Sequence, residues 1–314
     1  MAEWLCEEGI GENRAILVED GRILEAAIEL PGLRAGSVVE AKLVSTAGIA
    51  ALADGGEAVV EPVPRISEGA SFRGEVVREA IPEPGRPKPP RLRPVDAPPA
   101  AGPTLAERLG NPVSPHGADL FEQAGWSELL EEAATGEISF EGGALRMSLT
   151  PAMTLFDVDG TLPPAALALA GAAAAARAIR RFGIAGSIGI DLPTLPRDQR
   201  QAAAAAVDAI LPQPFERTAV NGFGFLQIVR RRVRPSIPEI LRADPGAAAA
   251  RALLRRAERL QGRVAIHAAP RVILQLKARP LWLAELARRT GGEAVLFPNP
   301  GLAISEGHVQ TTQS

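Results

Sequence analysis

The sequence holds one cysteine, three histidines and three lysines in 314 residues. The lone Cys6 excludes an internal disulfide framework and any multi-cysteine zinc site. Zinc is therefore not expected, and a reducing, cytoplasmic compartment is. His116, His267 and His308 are scattered, with no two at ligand spacing, so they build no metal site. No secretory signal is expected, because Glu3, Glu7 and Glu8 stand where its basic region would be. No uninterrupted apolar run reaches membrane length. The longest, Ala165–Ala178, is short, weakly hydrophobic and leads into Arg180 and Arg181. With 46% hydrophobic and 23% charged residues, the chain should fold, into two or three small domains or one large one with appendages.

The net charge of −3 hides a strong asymmetry. Residues 1–30 carry eight acidic and two basic side chains, and residues 104–160 carry ten and two. Residues 217–289 carry sixteen basic and four acidic ones, an excess of +12. Such segregation points to one surface for a polyanion.

Glu19-Asp20-Gly21 between the apolar runs 14–18 and 22–28 predicts a hairpin. Short strand-like pieces over 37–44, 57–63 and 71–77 fit a small β-barrel. Nine prolines over 82–103 exclude helix and central strand and predict a linker or an edge-wrapping segment. A helix over 120–134 and a hairpin over 137–149 follow. From residue 151 onward strands and helices alternate as βαβαβ, the pattern of an α/β layer fold. Its strands are 153–158, 185–190 and 218–220, and its helices 164–182 and 197–210. Helices over 246–260 and 270–290 and strands over 263–268 and 293–297 complete the chain.

Asp157 and Asp159 close the first of those strands, and i, i+2 positions share one face. Asp191 closes the next, parallel strand, about 4.8 Å away. The three carboxylates are expected to converge at the edge where α/β folds place their sites. An all-oxygen set selects Mg²⁺, or Mn²⁺, over zinc. The alternative is that Asp159-Gly160 is a turn and Asp191 caps the segment before Pro193. Arg230, Arg231, Arg232 and Arg234, downstream of Phe223 and Phe225, read either as a phosphate-binding strip with stacking rings or as a solvated face over core phenylalanines.

Phe156-Asp157-Val158-Asp159-Gly160-Thr161-Leu162 resembles the first motif of haloacid-dehalogenase phosphatases, which implies Asp157 as nucleophile and Asp159 as acid/base. The only lysine after it is Lys277, and no late acidic pair follows.

A second resemblance covers more of the chain. Leu120-Phe121-Glu122, Phe140-Glu141-Gly142-Gly143, Met153 to Asp159, Gly186 to Asp191 and Phe223 to Ser236 together are similar to the ribonuclease E/G endoribonucleases. That likeness implies Mg²⁺-dependent hydrolysis of single-stranded RNA, with Asp157, Asp159 and Asp191 as catalytic metal ligands and Phe223 and the four arginines on RNA. It implies an α/β (α+β) chain with RNase H-like and DNase I-like catalytic regions. The expected parts are an RNase H-like hairpin over 1–33, a degenerate OB-like RNA-binding barrel over 34–95, a proline-rich linker over 96–117 and the rest of the RNase H-like part over 118–150. A DNase I-like catalytic part over 151–242 and a small α/β domain over 243–314 follow. The family's 5′-phosphate-reading segment and its Cys-x-x-Cys zinc link have no counterpart here, so a zinc-linked dimer is not expected.

Overall fold

The computed structural model describes residues 1–83, 87–113 and 117–312. Pro84 and His116 lie outside the described residues. The chain is a mixed α/β protein with three open sheets and one closed five-stranded barrel.

The first sheet is antiparallel: β1 (Glu3–Glu8), β2 (Asn13–Glu19) and β3 (Arg22–Glu29). Asp20 and Gly21 join β2 to β3 at φ of 50° and 72°, the left-handed pair that tight hairpins use. Strand β1 was not expected, because Glu3, Glu7 and Glu8 mask its alternation.

The barrel runs β4 (Val38–Ser45), β5 (Ile49–Leu52), β6 (Glu57–Val60), β7 (Ser71–Arg78) and β8 (Arg91–Pro94), closed in the order β4-β5-β6-β8-β7. Strand β8 corrects the expectation that the proline run excludes a central strand. Arg91-Leu92-Arg93 is a proline-free window with its backbone donors intact. It pairs parallel with β6 and antiparallel with β7. Leu92 is fully buried there, a contribution of about 2 kcal/mol. The stretch expected to be linker also carries a short helix, α1 (Leu105–Leu109), started by a Thr104/Glu107 capping box. Its Leu105 packs on Cys6 and Ala15 of the first sheet.

The helix expected over 120–134 is two: α2 (Leu120–Gln123) and α3 (Trp126–Thr135), broken at Gly125, where φ is 93°. Then come β9 (Glu137–Phe140), β10 (Gly143–Leu149), β11 (Thr154–Gly160), α4 (Pro164–Arg181), β12 (Gly186–Asp191), α5 (Arg197–Ile210), β13 (Glu216–Arg217) and β14 (Phe225–Arg230). Their sheet has the order β13-β14-β12-β11-β10-β9. Strands β11 and β12 are parallel, as a strand–helix–strand unit requires. The expected βαβαβ order holds over β11-α4-β12-α5-β13, and β14 then returns antiparallel between β13 and β12. The strand expected at 218–220 lies instead at Glu216–Arg217. The last unit is α6 (Ile237–Ala243), α7 (Pro245–Ala257), β15 (Gly262–Ala268), α8 (Pro270–Lys277), α9 (Pro280–Thr290), β16 (Gly291–Pro298) and β17 (His308–Thr311), with sheet order β16-β15-β17.

Helix α4 lies between two sheets. Ile23, Ala26 and Ile28 of β3 and Phe156, Val158, Ile188 and Ile190 of the six-stranded sheet join its buried alanines in one core. Alanine and glycine make that approach possible: a Cβ at Gly171 would overlap Val158. On the opposite face of the six-stranded sheet, Arg146, Asp159 and Asp191 are exposed and Asp157 is half-buried.

Ionic bonds tie the first sheet to the last unit. Arg255 of α7 bonds Glu7 at 2.8 Å and Asp119 at 2.6 Å, and Arg251 bonds Glu12 at 2.6 Å. Arg14, fully buried, bonds Glu12 at 2.8 Å and lies 3.6 Å from Glu258. Burial pushes Asp119 upward. The hydrogen bond from Arg255, the Glu122 backbone N–H and the charges of Arg255 and Arg259 outweigh it and hold the carboxyl below its ordinary value.

Removing one partner of a buried charge cluster costs about 3–5 kcal/mol, because the others stay buried unpaired. Arg255→Met should therefore lower the urea midpoint by a loss of that order, at unchanged m-value. The pH dependence has a definite sign. A depressed Asp119 stabilises the fold above its unfolded value near about 3.9, and that share is lost as pH falls through the folded value. Asp119→Asn should flatten the acid limb of a stability–pH curve, and an unaltered limb would count against this role.

Candidate functional site

Strand β11 does not stop at the aspartates. It pairs with β10 through Gly160, so Asp157 and Asp159 stand on the sheet face rather than beyond a strand end. Asp157 is the register partner of Asp191 on β12. In a parallel pair such partners point to the same face, with backbones about 4.8 Å apart. Inward neighbours Phe156, Val158 and Ile190 are buried, which fixes the carboxylates outward. None of Asp157, Asp159 and Asp191 makes a side-chain hydrogen bond or ion pair with a described residue. Arg146 lies opposite Asp157 but bonds Glu137 at 3.2 Å instead.

The three carboxylates are not equally placed. Among the described residues, no three His, Cys, Asp or Glu side chains come together as a metal-ligand group. Asp157 and Asp191 are adjacent, but Asp159 lies two residues further along β11, opposite Ala144 of β10. The pair nevertheless suits a hard cation. Two outward carboxylates side by side repel each other, and neither forms an ion pair with a described arginine or lysine. Oxygen-only donors fit Mg²⁺ or Mn²⁺.

Phe223 is brought to this end of the sheet. Phe225 is the register partner of Asp191, and its ring crosses Gly189, where a Cβ would overlap it. The hairpin tip between β13 and β14 is pinned locally. Asn221 Oδ1 accepts from the Phe223 and Phe225 backbones at 2.9 and 3.1 Å, and the Gly224 carbonyl accepts from Leu192 at 3.2 Å. Phe223 is left 85% exposed. Arg200 of α5 reaches the same tip, close to Gly222, with its Nε buried and unpaired. Sequence reasoning passed over Arg200 and Gly189. The usable signal was Gly189 inside an apolar strand, a mark of close approach.

The arginine strip is elsewhere, contrary to expectation. Arg230 pairs with Gly186, at the amino end of β12, while Asp191 is at its carboxyl end. Along the strand that is about 17 Å at about 3.4 Å per residue. Arg232 is held by Glu239 and, at 2.9 Å, by Glu83. Arg230, Arg231, Arg232 and Arg234 therefore do not contribute to the carboxylate site. The reason is topological: β14 runs antiparallel to β12 and carries its carboxyl end away from Asp191.

The barrel offers few free cations. Arg91 bonds Glu61 at 2.9 Å, Arg93 bonds Glu75 at 2.6 Å, and Arg78 donates to the Pro89 carbonyl at 2.7 Å. No described helix is long and apolar enough to cross a membrane.

The chain matches no known protein family and no curated protein. The functional reading rests on the geometry above and on the motif resemblance.

Gly224 sits at φ 93°, and a Cβ there would collide with the Leu192 carbonyl. Gly224→Ala should destabilise by about 1–3 kcal/mol, whereas Phe223→Ala should leave the melting temperature within error. Equal thermal shifts in the two variants would contradict the assignment of Phe223 as a surface ring on a strained tip.

Proposed function

We propose that the chain is a ribonuclease E/G-like endoribonuclease acting on single-stranded RNA. One observation carries the reading: Asp157 and Asp191 stand side by side, outward and without a protein partner, at the sheet end whose neighbouring hairpin tip exposes Phe223. In this reading Asp157 and Asp191 hold Mg²⁺, or Mn²⁺, with Asp159 as an outlying third carboxylate. A bound Mg²⁺ supplies polarisation of a phosphate oxygen and acidifies water. Phe223 gives a base a stacking surface, a sequence-tolerant contact worth about 1–3 kcal/mol. Arg200 at the same tip is the cation placed to meet a backbone phosphate.

The finer architecture belongs to the same proposal. The barrel's strand order and its parallel β6–β8 pair fit an OB-like module over 34–95. Residues 1–33 and 118–150 are read as RNase H-like, 151–242 as DNase I-like and 243–314 as a small α/β unit. A cytoplasmic setting fits the single, buried Cys6.

A second reading is an RNA-binding protein whose nuclease activity is weak or lost. The observation that favours it is the separation of Asp159 from the other two carboxylates. The phosphatase reading has less support. It needs a lysine near Asp157, and Lys277 ends α8, whose core is separate from that of β11.

The test is a labelled single-stranded RNA incubated with the protein in Mg²⁺ and in EDTA. Cleavage should need Mg²⁺. Asp157→Asn and Asp191→Asn should each abolish it with an unchanged melting temperature, and Asp159→Asn should slow it less. RNA bound but left intact by the wild type would favour the second reading. Wild-type rates in both Asn variants would sink the site assignment.

A further inference from the structure

The displaced arginines line a cavity of their own. It has a volume of about 290 Å³ and lies between the first sheet, the end of α1 and the turn from α4 into β12. Its walls include Trp4, Leu109, Glu25, Arg180, Arg230, Arg231 and Arg234. Four guanidinium groups thus face one carboxylate.

The arginines are not equivalent. Arg180 is held by Glu25 at 2.8 Å. Arg230 donates one Nη1 hydrogen to the Ile184 carbonyl at 2.9 Å, which fixes its side chain and leaves its other donors uncommitted. Arg231 makes no hydrogen bond or ion pair with a described residue; Arg234 makes none either, but its charge acts on the buried Glu79 carboxyl behind it. Arg232, in the same run, is instead held by Glu83 and Glu239. Four arginines against Glu25 in the wall and Glu79 behind Arg234 leave a net positive charge on this concave surface. That is an arrangement for an anion, and planar guanidinium forks suit phosphate oxygens. Trp4 packs on the Cys6–Ala15–Leu105 cluster and also faces the cavity. An indole beside a phosphate-binding fork accepts a flat aromatic ring. The volume is at the low end for small-molecule sites.

We propose that this cavity binds one phosphorylated nucleoside, with its base against Trp4 and its phosphate held by Arg230, Arg231 and Arg234. The ligand is either a free nucleotide or one nucleotide of an RNA strand. The site is distinct from the carboxylate pair, and its existence does not rest on the nuclease reading.

The test is titration of the full chain with adenosine 5′-monophosphate, followed by calorimetry and by tryptophan fluorescence. Adenosine and inorganic phosphate serve as half-ligand controls. The nucleotide should bind at least about tenfold more tightly than either control. The double variant Arg231→Gln/Arg234→Gln should lose about tenfold or more in affinity at an unchanged melting temperature, since neither arginine is paired. Trp4→Leu should lose most of the fluorescence change. Competition by a short single-stranded oligoadenylate assigns the pocket to a strand, and its absence assigns it to free nucleotide. Asp157→Asn should leave all of this untouched, so a failure of the nuclease reading is separable. No saturable binding, equal affinity for nucleotide and inorganic phosphate, or undiminished binding in the double variant overturns the proposal.

Discussion

The first sheet and the last unit are joined by a charge cluster that is out of reach of water. Arg14 is fully buried, and Glu7, Glu12, Arg251, Arg255 and Glu258 are nearly so. Glu7 lies on β1 and Glu12 in the turn between β1 and β2, and Arg251, Arg255 and Glu258 come from helix α7 and its end, some 240 residues later. Asp119 and Arg289 extend the cluster to α2 and α9. Such a network stabilises little by itself, since desolvation offsets most of its attraction. Its effect is on specificity. A buried carboxylate with one geometry for its arginine permits one docking of the two segments, and others leave charges unpaired. Burial still shows in the balance: Glu258 is pushed up by it, against the pull of Arg14 and Arg289.

Fixing the first sheet in this way fixes what it covers. Its β3 closes one side of α4, and β10 and β11 close the other. A helix covered on two sides needs small side chains, and α4 supplies alanines and Gly171. Because α4 seals the inner face of the six-stranded sheet, the outer face stays in water. The aspartates occupy that outer face by strand alternation alone. Their freedom from partners is thus a consequence of layer geometry, set from a cluster in another part of the molecule.

Much of this was legible in the sequence, and the failures share a cause. Regular elements with strong local signals were read correctly: the Asp20-Gly21 hairpin, helix Arg197–Ile210 to the residue, and the parallel β11–β12 pair. Asp157 and Asp191 were read as neighbours because the strand–helix–strand unit alone dictates it. Strand β8 was hidden by flanking prolines, since its three usable donors count only once β6 and β7 are present to receive them. Strand β1 was hidden because its inward residues include Glu7, a carboxylate whose partner Arg255 is distant in sequence. The position of the arginine strip depended on the direction of β14, and nothing in Phe225–Arg230 encodes whether it runs with or against β12.

The charge asymmetry shows the same thing in energetic form. An excess of +12 over residues 217–289 reads as a surface for a polyanion. In the folded chain much of it is answered from within. Arg251 and Arg255 take Glu12 and Glu7 from the acidic first thirty residues, and Arg255 and Arg259 take Asp119 from the second acidic stretch. Arg217 is held by Asp208, Arg288 by Glu285 and Arg289 by Glu258. The two acidic segments and the basic one are complementary halves of an internal contact. Charge that is neutralised in this way exerts little field at the surface, so the polyanion argument applies only to what is left over. Among the residues of the arginine run, Arg232 is spent on Glu83 and Glu239, Arg234 acts on Glu79 without an ion pair, and Arg231 has no ion pair. What sets Arg231 and Arg234 apart from the other arginines without an ion pair is their place, with Arg230, on the wall of one cavity.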